Sequence, residues 1–105
     1  MEINKDRLAG TIGLCAKAGK LVTGTNMVCE HMKAKKKLFL LLEASDTSEN
    51  THKKLSDKSS FYGIKIVRLS YDGEALAKIT GKTGSLAVIG ISDENLAVAV
   101  LKQLP

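Results

Sequence analysis

A chain of 105 residues can form one domain around a hydrophobic core but not two, so a single domain over 1–105 is expected. With 44% hydrophobic and 26% charged residues it has the balance of a globular protein in water. No apolar run reaches the roughly 18–20 residues of a membrane span, and Met1-Glu2-Ile3-Asn4-Lys5-Asp6-Arg7 lacks the basic-then-apolar pattern of a secretory signal, so a cytosolic protein with no membrane partner is expected. The net charge of +5 sits in one part of the chain: residues 1–42 carry eight Lys/Arg against three Asp/Glu, and the remainder carries eight of each. That asymmetry suits a face turned to a polyanion, and it equally suits ordinary solubilising charge.

In chain order, Lys5 to Ala18 reads as a helix with Leu8, Ile12 and Cys15 on one face and Gly19 as its stop. Leu21-Val22-Thr23 is a short extended piece. Gly24-Thr25-Asn26 opens a second helix, carrying Val28 and either His31 or Met32 inward. Leu38-Phe39-Leu40-Leu41-Leu42, an apolar run bounded by charge, has the pattern of a strand buried on both faces. Asp46 or Ser48 caps a third helix that ends at Gly63 and turns Thr51, Leu55 and Tyr62 inward. Lys65 to Leu69 alternates as a half-buried strand. Ser70 caps a short helix running through Ile79 to a stop at Gly81, and Leu86 to Ile91 is another apolar strand. Ser92 caps the last helix, where Ala97, Val100, Leu101 and Leu104 follow i, i+3, i+4, i+7 spacing. This alternation predicts an α/β fold, a three-layer α/β/α sandwich with a four-stranded mixed sheet.

The inventory for catalysis is thin. Cys15 and Cys29 lie in apolar-periodic segments and read as small buried hydrophobes. Cys29-x-His31, with Cys15 and with His52 on an exposed helical turn, gives no familiar zinc spacing, and two positions apart on a helix Cys29 and His31 point in different directions. Gly81-Lys82-Thr83 ends like a phosphate-binding P-loop. The glycine that motif needs five residues earlier is Leu76, inside a predicted helix, and a strand follows rather than precedes. Asp46, Glu49, Asp72, Asp93 and Glu94 stand at helix starts, where capping and the helix dipole account for them. No enzyme, metal or cofactor is expected.

Two stretches suit a nucleic acid. In Lys17-Ala18-Gly19-Lys20-Leu21-Val22-Thr23-Gly24-Thr25-Asn26, the glycines permit tight turns and Gly24 leaves free N–H groups at a helix start, which attract phosphate. Asn26 adds an amide for a base edge, with Lys17 and Lys20 flanking it in sequence. Gly19 also serves as a plain helix stop, and Thr25 or Asn26 as a cap. Lys33-Ala34-Lys35-Lys36-Lys37 forms a cationic run that helix-dipole complementarity explains as well as ligand contact does. Aromatics are few: Phe39 belongs to the buried run, Phe61 and Tyr62 end a helix, and Tyr71 is the ring expected to be exposed. The chain is thus poorly equipped to stack single strands, and recognition of a folded RNA fits it better.

The residues at this point resemble the kink-turn-binding ribosomal protein family, and within it the small bacterial YlxQ-like branch, over roughly Leu8 to Leu104. The match is carried by Ala16-Lys17-Ala18-Gly19-Lys20-Leu21-Val22-Thr23-Gly24, by Ser48-Glu49-Asn50-Thr51-His52-Lys53-Lys54-Leu55, and by Ala77-Lys78-Ile79-Thr80-Gly81-Lys82. The family shares an α/β/α sandwich. Its RNA-binding members open the second helix with Gly-x-Asn-Glu and a lysine one turn on, and contact G·A pairs beside a kink in the RNA. Gly24, Thr25 and Asn26 match the first three positions, while Met27 replaces the Glu and Glu30 the lysine. The family's second contact is the loop before the last strand, here Gly81-Lys82-Thr83-Gly84-Ser85, whose Lys82 can restore a phosphate contact that Glu30 gives up.

The resemblance therefore implies a monomeric binder of structured RNA, ribosomal RNA above all, with ribosomal or assembly proteins as further partners. The expected contacts are Lys17, Lys20, Gly24, Thr25, Asn26, Met27, Lys33, Gly81, Lys82 and Thr83. The alternative is a protein-interaction module on the same fold. An exposed Met27 would favour that alternative.

Overall fold

Glycine stops and apolar runs resolve into nine elements in the structure, a computed structural model that describes residues 3–104. They are α1 (Ile3–Lys17), β1 (Leu21–Thr23), α2 (Thr25–Lys33), β2 (Leu40–Glu43), α3 (Glu49–Tyr62), β3 (Ile66–Arg68), α4 (Gly73–Ile79), β4 (Val88–Ile91) and α5 (Glu94–Leu101). The sheet order is β1-β4-β2-β3. β4 runs antiparallel to β1 and β2, and β2 runs parallel to β3, so the sheet is mixed as expected.

Period-two alternation along the central strands divides the core. Leu40, Leu42, Ile89 and Ile91 face one layer, with Leu8, Ile12 and Cys15 of α1, Leu76 of α4 and Val100 of α5. Leu41 and Val88 face the other, with Val28 and Met32 of α2 and Leu55 of α3. Leu40, Leu41 and Leu42 are all fully buried, each stabilising the fold by roughly 1.5–3 kcal/mol of transfer free energy. Cys15 is the small buried hydrophobe expected: burial pushes its thiol pKa up, keeping it protonated at neutral pH. No helix among the described residues is long and apolar enough to cross a membrane.

Several local expectations are corrected. β2 begins at Leu40 rather than Leu38 and ends on Glu43, whose side chain is buried. Ser48 is the cap of α3, accepting from the Thr51 N–H, while Asp46 accepts from the Gly73 N–H at 2.9 Å and so ties the β2–α3 connection to α4. α4 is capped by Asp72 and not Ser70, and α5 by Asp93 and not Ser92. In each case the carboxylate accepts the N–H three residues on, at 2.8 and 3.0 Å. With Asp72 as the cap, Tyr71 becomes the residue just before it, a position whose side chain folds back toward the fourth helical residue, here Leu76. Tyr71 is accordingly 6% exposed, in the same core layer as Leu76, and is not the exposed ring. That ring is Phe61, at 81%. On α5, Ala97 and Val100 are buried, whereas Leu101 lies at the edge of the stripe and stays exposed.

Candidate nucleic-acid interface

Because β1, β2 and β3 run in one direction and β4 in the other, the loops gather at two ends of the sheet. The first end holds the starts of α2, α3 and α4 and the α4–β4 connection. The second holds the α1–β1, α2–β2, α3–β3 and β4–α5 connections.

At the first end, α2 starts on Gly24, whose φ of 90° and ψ of 151° lie in a region that only glycine adopts without strain. The Gly24 N–H donates to the Val88 carbonyl at 3.0 Å, and the Gly24 carbonyl accepts from the Val28 N–H at 3.0 Å. The helix ladder thus begins at Val28, and the first-turn N–H groups of Thr25, Asn26 and Met27 precede it. α2 has no side-chain cap and no acidic residue in its first turn. By contrast α3, α4 and α5 each have a capping side chain and a glutamate (Glu49, Glu74 and Glu94). A helix start of this kind presents positive partial charge and open donors. Thr25 is half-buried and Asn26 exposed. Met27 is 53% exposed, and Glu30, one turn beyond Asn26, is also exposed.

The α4–β4 connection lies beside this helix start, because Val88, which takes the Gly24 N–H, is the first residue of β4. The connection is held at both its ends. The buried Thr80 hydroxyl lies 3.0 Å from the carbonyls of Leu76 and of Ala77, and the Lys82 N–H donates to Ala77 at 2.8 Å. Downstream, the Leu86 N–H donates to the Gly73 carbonyl at 3.0 Å. Gly73 leaves no room for a side chain there: a Cβ would collide with Ser85 Oγ and stand 3.1 Å from the Leu86 carbonyl oxygen. Between these anchors Gly81, Lys82, Thr83 and Gly84 are exposed.

A polar cluster that the sequence reading missed supports the same end. Glu43, 1% exposed at the end of β2, accepts from His52 Nδ1 with both carboxylate oxygens, at 2.9 and 2.8 Å, and Arg68 Nη2 stands 3.9 Å away. Arg68 also donates to the Ala44 and Thr47 carbonyls at 3.4 and 3.1 Å. His52 is therefore half-buried and bonded, and not on a free exposed turn. The one signal in the sequence was a carboxylate closing an apolar run with a histidine nine residues on. Among the described residues, no group of three or more His, Cys, Asp or Glu is gathered to hold a metal ion.

The expected contact residues divide between the two ends. Gly24, Thr25, Asn26 and Met27 stand at the first, where the connection that holds Gly81, Lys82 and Thr83 returns to β4. Lys17, Lys20 and Lys33 belong to the second, where the Lys20 carbonyl accepts from the Ser92 N–H and hydroxyl at 2.9 and 3.1 Å. Lys20 and Gly24 are separated by the length of β1, about 13 Å at about 3.3 Å per residue.

No protein-family model matches the chain. It is 35% identical over 96 residues to a protein named RNA-binding protein YlxQ from Enterococcus faecium, a match covering 91% of this chain and 89% of that protein. It is 31% identical over 94 residues to RNA-binding protein YlxQ of Bacillus subtilis strain 168, covering 89% and 90%. Among solved structures, a protein of unknown function from Bacillus halodurans superposes with a TM-score of 0.83 at 27% identity, covering 91% of this chain and 94% of that one. A Giardia lamblia 15.5 kD RNA-binding protein superposes with a TM-score of 0.76 at 17% identity, covering 98% and 86%, a likeness of fold.

Proposed function

This chain belongs to the YlxQ family, and we propose that it is a cytosolic RNA-binding protein, not an enzyme, that recognises a bent, kink-turn-like RNA in ribosomal RNA or its precursors. The open start of α2 beside the Lys82 loop is the observation that carries this reading. Gly24 lets the backbone approach closely, Asn26 meets base edges, Thr25 and Met27 line the contact, and Lys82 with Gly81 and Thr83 receives the phosphate backbone. Lys17, Lys20 and Lys33 stand away from this contact. The protein acts as a monomer in this reading.

Titration against a short kink-turn RNA, and against a control with its G·A pairs replaced, at two salt concentrations, tests the proposal. Binding that needs the G·A pairs and falls with salt is expected. Lys82→Ala should reduce the slope of log K against log salt by about one while leaving the preference for the G·A pairs intact. Equal, weak binding to both RNAs would overturn it.

The exposed Met27 favours a second reading, in which the same helix start docks a ribosomal or assembly protein. In that case Met27→Asp abolishes capture of the protein partner and leaves RNA affinity unchanged.

A further inference from the structure

The second end of the sheet carries a surface that this contact does not use. Lys35, Lys36 and Lys37, all exposed, line one groove of about 500 Å3 with Phe39, Phe61 and Tyr62, and no acidic side chain is among the described residues lining it. Phe61 is braced by Tyr62 in a T-shaped contact, with centroids 4.9 Å apart and planes at 87°, yet keeps 81% of its surface in solvent. A single exposed phenyl ring is ordinary; one set in a groove with three lysines is a stacking platform with cations beside it. The backbone adds a separate observation. Lys35 has a φ of 58° where α2 closes, its N–H donating to the Met32 carbonyl and that of Lys36 to the His31 carbonyl. Glycine is the unstrained residue at such a position, so here the chain holds a lysine at a cost in stability.

We propose that this groove is a second RNA-binding surface, which takes an unpaired strand with a base on Phe61 and phosphates on Lys35, Lys36 and Lys37. An exposed ring beside cations matches single-strand binding, whereas an A-form duplex keeps its base faces stacked inside and would leave the ring unused. An acidic peptide would satisfy the lysines and leave the ring without a flat partner. Helix α2 joins the two surfaces, its nine residues placing the lysines about 13 Å from the open helix start. One RNA can therefore engage both, its bent duplex at Gly24 and a flanking single strand at Phe61. The choice of ligand rests on reading the chain as an RNA-binding protein.

The test is fluorescence anisotropy with end-labelled uridine and adenosine oligomers of about eight nucleotides, alongside a kink-turn duplex without single-stranded tails. Phe61→Ala should weaken oligomer binding about tenfold with the salt slope unchanged. Replacing Lys36 and Lys37 by Ala should lower that slope by roughly 0.7 for each charge. Lys35→Gly should weaken oligomer binding while melting no lower than the wild type. All of these variants should bind the tailless duplex normally, and Asn26→Ala should do the reverse, so either surface can fail without the other. Oligomer binding that is absent, or indifferent to Phe61→Ala, overturns the proposal. So does an oligoglutamate peptide that binds at least as tightly as the oligomers, with the same dependence on Lys36 and Lys37, which would assign the groove to an acidic protein.

Discussion

Helix α2 is flanked at both ends by residues with positive φ, Gly24 at its start and Lys35 just past its end, and the two use that conformation in opposite ways. At the start, the missing side chain is the point: the N–H groups of the first turn lie open and nothing stands within 4 Å of where a Cβ would be. Past the end the side chain is kept, and the strain falls on the backbone that carries the lysine. A surface that offers backbone donors needs glycine, whereas one that offers charge keeps a lysine even where glycine would be more stable.

The largest expected effect is at the start. Gly24→Ala should cost about 1–3 kcal/mol of stability, because alanine has no relaxed conformation at φ 90° and ψ 151° and the space around it is empty, so strain alone is responsible. Urea unfolding measures it. An unchanged midpoint would mean that Gly24 relaxes freely, and the contrast with Lys35 would then collapse.

Next in size is the polar cluster behind the same end. His52→Ala removes the hydrogen-bond donor from a buried Glu43 carboxylate and leaves Arg68 at 3.9 Å as its nearest cation. A buried acceptor without its partner costs about 1–3 kcal/mol. His52 is 40% exposed, so water can replace it and the loss belongs in the lower half of that range. If the two ends are independent, kink-turn binding should weaken together with stability while oligomer binding at Phe61 holds. A parallel loss of both would show instead that the fold, and not one surface, depends on the cluster.

Element order was legible because its signals are local. Gly19 and Gly63 do end helices, and the leucine run does become a strand buried on both faces. The helix opening at Gly24 was legible for the same reason. What remained hidden is decided by distance in space. Ser70 and Asp72, or Ser92 and Asp93, are all capable caps by residue type, and residue type alone does not select Asp72 and Asp93. The choice of Asp72 places Tyr71 just before the helix, where it is buried, and the ring left in solvent is Phe61, near the end of α3. Lys17 and Lys20 looked adjacent to Asn26 because they are near in sequence, but an extended strand carries four residues across a sheet. Glu43 read as the polar boundary of an apolar run until the fold brought His52 and Arg68 to it.

The smallest effect is also the sharpest test of the proposed RNA contact at the start of α2. Glu30 is exposed one turn beyond Asn26, and in the proposed contact its charge would oppose phosphate there. Glu30→Lys removes a repulsion and adds an attraction on a solvent-exposed helix face, where screening keeps such changes near 0.5–1 kcal/mol. Affinity for a kink-turn RNA should therefore rise about two- to fivefold, and the salt dependence should steepen by about one. The decisive feature is where the gain falls. If the start of α2 meets the RNA at its G·A pairs, the gain should be larger for the kink-turn than for the control lacking them, because only the former brings a phosphate to a fixed place beside residue 30. A gain of equal size for both RNAs would mean that the new lysine only enlarges a diffuse cationic surface. The specific contact would then have to be sought at Phe61 and the lysines past the other end of the same helix.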